Sequence, residues 1–264
     1  MTRTVGTSII SAPCCGSLYR TTRYSSINYS AWEHWTDGYS DSMLAPSDEG
    51  LSLCQCGQYF LHWQCEPLSH ISKDSPKEEQ REEIPYVPTV GDRDLQAFID
   101  SDCQNKLMSE IGRRRYWRHL NHDFRKHYRD CRDKGQPALI RFNPSEAQLT
   151  NMQALLELLQ EQPEPNLLEL AELHHELGNQ AQALACLDQV GPHGQKLAQA
   201  MRKCFDEGLS GPFRFRPDLC PEPVLPPSVL AQIEAWKLRN RPWHVKALER
   251  VKTGATALRA RLGT

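Results

Sequence analysis

Apolar positions change their spacing along this chain, and the change divides it. Between residues 8 and 66, Tyr19, Tyr24, Tyr29, Trp32, Trp35, Tyr39, Tyr59, Phe60 and Trp63 are interleaved with serine and threonine. That mixture favours strands. Thr36-Asp37-Gly38 and Asp48-Glu49-Gly50 are hairpin-type turn signals, which predict a short strand over 51–53 and a return over 58–63. From residue 92 the spacing becomes three and four. Leu95, Phe98, Ile99, Leu107 and Ile111 fit a helical pattern over 94–111. Trp117, Leu120, Phe124, Tyr128 and Cys131 predict a single helical face over 113–133. Ser145 is placed to cap a helix with apolar positions Leu149, Met152, Leu155, Leu156 and Leu159, and Pro163 and Pro165 end it. Two further amphipathic stretches, 229–238 and 245–262, are separated by Arg241-Pro242. Residues 67–91 follow neither period. They are polar and charged, with Pro67, Pro76, Pro85 and Pro88, and read as a solvated linker or an extended strap. The expected architecture is α+β, mainly α: a β module at 8–66, the strap at 67–91, and a helical domain at 92–264.

Composition adds limits. The 264 residues suffice for a main core and one smaller unit, and 39% hydrophobic with 24% charged residues is ordinary for a globular chain. A net charge of -2 argues against a globally basic nucleic-acid binder. No apolar run is long enough to span a bilayer, and the first twelve residues lack the apolar stretch of a secretion signal, so a cytoplasmic location is expected.

Cysteine placement sharpens the picture. Cys14, Cys15, Cys54, Cys56 and Cys65 crowd the first 65 residues, while Cys103, Cys131, Cys186, Cys204 and Cys220 are scattered. Pro13-Cys14-Cys15-Gly16 and Cys54-Gln55-Cys56-Gly57 each end in glycine, which lets the backbone turn tightly and aim its N–H groups at thiolates. On a Cys-x-x-Cys-Gly frame, Ala12 and Leu53 take the first cysteine positions, and a nearby cysteine has appeared in each knuckle. A zinc site on Cys14, Cys15, Cys54 and Cys56 is the expectation. Adjacent side chains diverge, so His62 or Cys65 stands as a replacement for Cys14. A metal-free degenerate ribbon and a redox thiol pair are the competing readings.

These knuckles give the first segment a resemblance to zinc ribbons. With Ala12-Pro13-Cys14-Cys15-Gly16, Trp35-Thr36-Asp37-Gly38-Tyr39 and Cys54-Gln55-Cys56-Gly57, it also resembles small bacterial proteins of unassigned function. Residues 167–190 resemble a tetratricopeptide repeat through Leu170-Ala171, Leu177-Gly178, Ala183-Leu184 and Leu187. His174 and Gln180 or Ala181 depart from that pattern. The resemblance implies two antiparallel helices over 164–191 that approach through small residues, with 149–159 and 197–205 packed on either side. A plain α-hairpin within an irregular helical domain is the alternative.

The segment 113–134 is the most basic, with nine Lys or Arg against three Asp. Arg114, Arg118 and Arg125 are the candidate partner-binding residues. They offer either an electrostatic contact to an acidic partner or, with an intramolecular role, a match for the acidic strap at 78–83. His119, His122, His174 and His175 read as solvated histidines. Phe213-Arg214-Phe215-Arg216 reads as a short strand or an arm over the helices. No phosphate loop, nucleophile elbow or paired-histidine metal helix is present. The expected function is therefore a non-catalytic adaptor or scaffold for a protein partner, with structural zinc. A nucleic-acid-associated protein using the zinc module and the 113–132 helix is the alternative, and an enzyme of unrecognised class the third reading.

Overall fold

Two paired strands open the molecule, with Ser8, Ile9 and Ile10 buried on the first and Tyr19 on the second. In the computed structural model, β1 (Arg3–Ser11) turns through residues 12–17 and pairs antiparallel with β2 (Leu18–Ser26), setting Ile10 opposite Tyr19. The structure describes residues 2–26, 31, 33–41, 50–72, 83–101, 105–134 and 141–215. The helices expected at 229–238 and 245–262, the Asp48-Glu49 turn positions, Cys103, Cys220 and most of the acidic stretch at 78–83 lie outside them. The described residues all belong to one compact unit.

A hairpin of β3 (Glu33–Trp35) and β4 (Ser40–Asp41) turns through Thr36-Asp37-Gly38. Gly38 has φ +75°, and its N–H donates to the Trp35 carbonyl at 2.9 Å. The next hairpin pairs β5 (Leu51–Leu53) with β6 (Tyr59–Leu61), as the turn signals predict. Strand β7 (Pro67–Ser72) then joins the free edge of β1, so the first residues of the expected strap belong to a sheet ordered β2-β1-β7. Its last residues, 85–90, tie two hairpins together. Val87 N donates to Arg20 O at 2.9 Å, and Val90 N donates to Leu51 O at 3.0 Å.

Helices follow: α1 (Leu95–Ile99), α2 (Lys106–Leu120), α3 (His122–Asp133), α4 (Glu146–Gln160), α5 (Leu167–Glu176), α6 (Gln180–Asp188) and α7 (Gln195–Asp206). Ser145 caps α4 in a full capping box with Gln148. Gly178, at φ +80°, sits in the tight turn between α5 and α6. Ala171 and Ala183, both fully buried, let those two helices approach. As the sequence pattern implies, α4 packs on one side of the hairpin and α7 on the other. Leu155, Leu156 and Leu159 meet Leu170 and Leu173, while Leu197, Met201 and Phe205 meet Ala171 and Ala183. Phe213 closes this core, and β8 (Arg214–Phe215) pairs with β3.

The predicted helix over 113–133 is broken at Asn121 into α2 and α3. Asn121 is fully buried, and its amide donates to Glu176 and Asp37, so the chain bends where buried carboxylates need donors. The aromatic face survives in pieces: Trp117 is buried, Phe124 meets Phe142 edge-on, and Tyr128 meets Trp35. His174 and His175 are not solvated. α5 is enclosed, His174 is buried, and His175 stacks on Phe205 with ring centres 3.8 Å apart.

Candidate metal centre

The two knuckles are turns at the ends of separate hairpins. In the first, Gly16 N donates to Ala12 O at 2.9 Å and Ala12 N to Ser17 O at 2.8 Å. In the second, Gly57 N donates to Cys54 O and Cys54 N to Gln58 O, both at 2.8 Å. Gly16 and Gly57 have φ of +75° and +84°, which glycine adopts without strain. The turns therefore differ in length, and the shared Cys-x-x-Cys-Gly frame does not describe them. Ala12 is buried in the core with Ile10, Tyr19 and Phe60, and Leu53 is exposed. The displaced cysteines, Cys14 and Cys54, converge with the two that keep the frame, Cys56 and Cys15.

Cys14, Cys15, Cys54 and Cys56 bring their four Sγ atoms within 4.8 Å of one another. Cys15 Sγ lies 3.4 Å from Cys54 Sγ, and Cys56 Sγ lies 3.4 Å from Cys14 Sγ. A tetrahedral ion with metal–sulfur bonds of about 2.3 Å needs sulfur–sulfur edges of about 3.8 Å, so the cage is close to the required size. Cys54 is buried and the other three are exposed. Neighbouring cysteines can both contribute because each faces a different cysteine of the other knuckle. The proposed substitutes stand elsewhere: His62 Nδ1 is 2.9 Å from Ser52 Oγ, and Cys65 Sγ donates to Leu61 O at 3.8 Å.

The same hairpins supply the groups around the sulfurs. Tyr19 Oη lies 3.5 Å from Cys54 Sγ and accepts from Gln55 N at 2.9 Å. Burial opposes ionisation of Cys54. The Cys56 backbone N–H, the Tyr19 hydroxyl and the Cys15 and Cys14 thiols outweigh it and bring its pKa down to about 6. Cys14, though exposed as a residue, is pushed up to about 12, by partial desolvation of its thiol against the cluster first and then by hydrogen bonds to Cys56, Cys54 and Cys15. One negative charge is thus stabilised by surrounding thiols, and a second is resisted. A divalent cation removes that resistance, since four thiolates repel one another only until a cation lies between them. The cluster is a four-cysteine cage that can hold a metal ion.

The three candidate partner-binding arginines are held within the fold. Arg114 Nε donates to Glu169 at 2.5 Å, and its Nη2 donates to Glu110 at 2.8 Å. Burial opposes its charge, but these carboxylates outweigh it and raise its pKa. Arg118 Nε donates to Asp37 O at 3.2 Å. Arg125, expected to offer a contact to an acidic partner, is 1% exposed, pairs with the fully buried Asp37 and lies over the Tyr39 ring at 4.1 Å. The acidic groups that attract them come from the β3–β4 turn and from α2 and α5.

Around Asp37 lies a buried polar cluster that sequence reasoning missed. Glu176 accepts from Trp117 Nε1 at 2.8 Å and from Asn121 Nδ2 at 3.1 Å. Glu172 is fully buried and faces Glu176, Asp37 and Thr36. Burial, then Glu176, then Asp37 push the Glu172 pKa well up. Burial also lifts Glu176, to about 8, against the hydrogen bond from Trp117. The available signal was the spacing of Glu169, Glu172 and Glu176, which share the inward stripe of α5 with Leu173.

No helix among the described residues is long and apolar enough to cross a membrane. No protein-family model, curated protein or solved structure matches the chain.

Proposed function

We propose that the chain is a non-catalytic interaction scaffold whose N-terminal module is closed by a structural zinc ion on Cys14, Cys15, Cys54 and Cys56. The observation that carries this reading is the convergence of four sulfurs within 4.8 Å from two separate hairpins. Four soft donors fill every position of a tetrahedral ion, and a site without an open position serves structure rather than catalysis. The donor set favours zinc over oxygen-seeking magnesium or calcium.

The scaffold half of the reading rests on the helices. A tetratricopeptide-like hairpin of α5 and α6, stacked between α4 and α7, leaves an open groove of about 510 Å³ along α4. Leu149, Gln153, Ala154 and Leu177 are among the residues that line it. Such a groove suits a helix or peptide of a protein partner. The inward engagement of Arg114, Arg118 and Arg125 favours a protein partner over a nucleic-acid surface built on those arginines.

Native mass spectrometry tests the metal: one zinc per chain is expected, lost in Cys15→Ser or Cys56→Ser. Cobalt exchanged for it should show the absorption of a tetrahedral thiolate site. Absence of metal from protein purified without chelator would remove the structural-zinc reading. Co-purification of the tagged full chain from its own cells tests the scaffold, with Ala154→Glu as the groove variant. A partner lost in that variant is expected. A wild-type chain that runs alone at 30.2 kDa would overturn the scaffold.

A further inference from the structure

The four cysteines do not face one another at random. Each sulfur of the first knuckle stands 3.4 Å from one sulfur of the second, Cys15 against Cys54 and Cys14 against Cys56. Both pairs therefore cross between hairpins. Cys14 and Cys56 are exposed, and so is Cys15, whereas Cys54 is buried behind it. An oxidant reaches at least one member of each pair from solvent, with its partner already in line.

We propose that this cluster is a thiol modification site at which a hydroperoxide converts the metal staple into two cross-hairpin disulfides, Cys15–Cys54 and Cys14–Cys56. The release of metal in this step rests on the zinc reading above; the pairing does not. In each pair an exposed thiolate attacks the peroxide oxygen. The O–O bond breaks, the sulfur becomes a sulfenic acid, and hydroxide leaves. The facing thiol then attacks that sulfur, the S–S bond forms, and water leaves. Four thiolates, two hydrogen peroxide molecules and four protons give two disulfides and four waters, and the divalent ion departs without a change in its oxidation state.

Geometry selects this connectivity among the three that four cysteines allow. A disulfide needs Cα atoms about 4.4–6.8 Å apart, whereas adjacent residues on a trans peptide are held at about 3.8 Å. A Cys14–Cys15 bond is therefore strained, and the pairing that requires it, with Cys54–Cys56, is disfavoured. Of the two remaining, the cross-pairs already in contact need the sulfurs to close by only about 1.4 Å to reach bonding distance. Either state of the cluster ties the β1–β2 turn to the β5–β6 turn. Oxidation thus exchanges one staple for another and leaves the hairpins joined.

The experiment treats the zinc-loaded full chain with two equivalents of hydrogen peroxide, follows zinc with a chromogenic chelator, and maps disulfides in a non-reducing digest. Expected are the Cys15–Cys54 and Cys14–Cys56 peptides, zinc release in step with them, and full reversal by dithiothreitol with zinc. In Cys54→Ser the Cys14–Cys56 bond should still form. A Cys54–Cys56 bond, intermolecular dimers, sulfinic acids in place of disulfides, or thiols that stay reduced would each overturn the proposal. If the purified chain holds no metal yet forms both cross-pairs, the zinc reading fails and the thiol pairing stands. If it holds zinc on four thiolates that peroxide leaves untouched, the reverse is true.

Discussion

At Gly112 two opposing effects can be weighed by magnitude. Alanine is preferred to glycine inside a helix by about 1 kcal/mol, so propensity alone makes Gly112→Ala stabilising in α2. The surroundings reverse the sign. An added Cβ would lie 2.0 Å from Cε1 and 2.5 Å from Cδ1 of Phe98. That ring is fully buried and held edge-on by Tyr59, with ring centres 4.8 Å apart. Overpacking of this kind costs about 1–3 kcal/mol, and the net loss expected in urea unfolding is about 1 kcal/mol. The arginines offer a second contrast. Arg125→Met leaves Asp37 as a buried, unpaired carboxylate beside Glu172 and Glu176, at a cost of about 3–5 kcal/mol. Arg118→Met removes the hydrogen bond from a half-buried side chain to the Asp37 carbonyl, which contributes about 1 kcal/mol, and leaves no buried carboxylate unpaired. Equal effects of the two substitutions in chemical unfolding would contradict the burial of the Arg125–Asp37 pair.

Among elements, α5 presents the clearest test because it buries acids on its apolar stripe. Glu172 and Glu176 have folded pKa values raised above the ordinary carboxylate value, Glu176 to about 8. The folded state therefore holds protons that the unfolded chain releases. Stability from this pair is fully present below the unfolded pKa, near 4.5, and is lost as pH rises towards about 8. With zinc kept saturating so that the thiols do not contribute, the carboxyl pair should lower the unfolding free energy between pH 5.5 and 8 (both chosen test conditions) by at least about 1 kcal/mol. The change is read against Glu172→Gln because His174 and His175, whose pKa values burial lowers, act in the opposite sense. Glu172→Gln fixes one carboxyl in a neutral form, so it should flatten this slope and stabilise the protein at the alkaline end. The same helix shows what the sequence makes legible. Leu170, Ala171, Leu177, Ala183 and Leu187 outline the α5–α6 hairpin without any knowledge of its neighbours, because helical spacing is local. The cysteine pairs are legible for a similar reason: each knuckle carries its own turn glycine. The break at Asn121 and the burial of Arg125 are not legible. Their cause is Asp37, more than eighty residues away along the chain, whose local context reads only as a hairpin turn.

For the compact unit as a whole, the four cores form a relay whose ends should respond differently to metal loss. The cluster joins the β1–β2 and β5–β6 hairpins, with Cys54 itself part of the core of Ile10, Ala12, Tyr19 and Phe60. From β5 and β6, Leu51 and Leu61 pass to Val90, Leu95, Phe98 and Ile111. Trp117 then belongs to the α4–α5 core, and Ala171 to the core of α6 and α7. A metal at the cluster acts directly on the first core, because its ligands sit on the two hairpins that build that core and Cys54 is part of it. Its removal should therefore loosen the β hairpins first and reach α1 and α2 only through Leu51 and Leu61. The helices α5–α7 retain their own buried leucines, alanines, Met201 and Phe205, which supply local stability independent of the thiols. Hydrogen exchange with and without chelator checks this. Amides of β1, β2, β5 and β6 should lose protection by tenfold or more, roughly 1.4 kcal/mol of local stability. Those of α1 and α2 should lose less, and those of α5–α7 should remain unchanged. Uniform loss across α1–α7 would show a single cooperative unit stapled by the metal. Protection unchanged in the hairpins would show that Tyr19, Phe60 and the Val87–Val90 tie hold the β module closed without it.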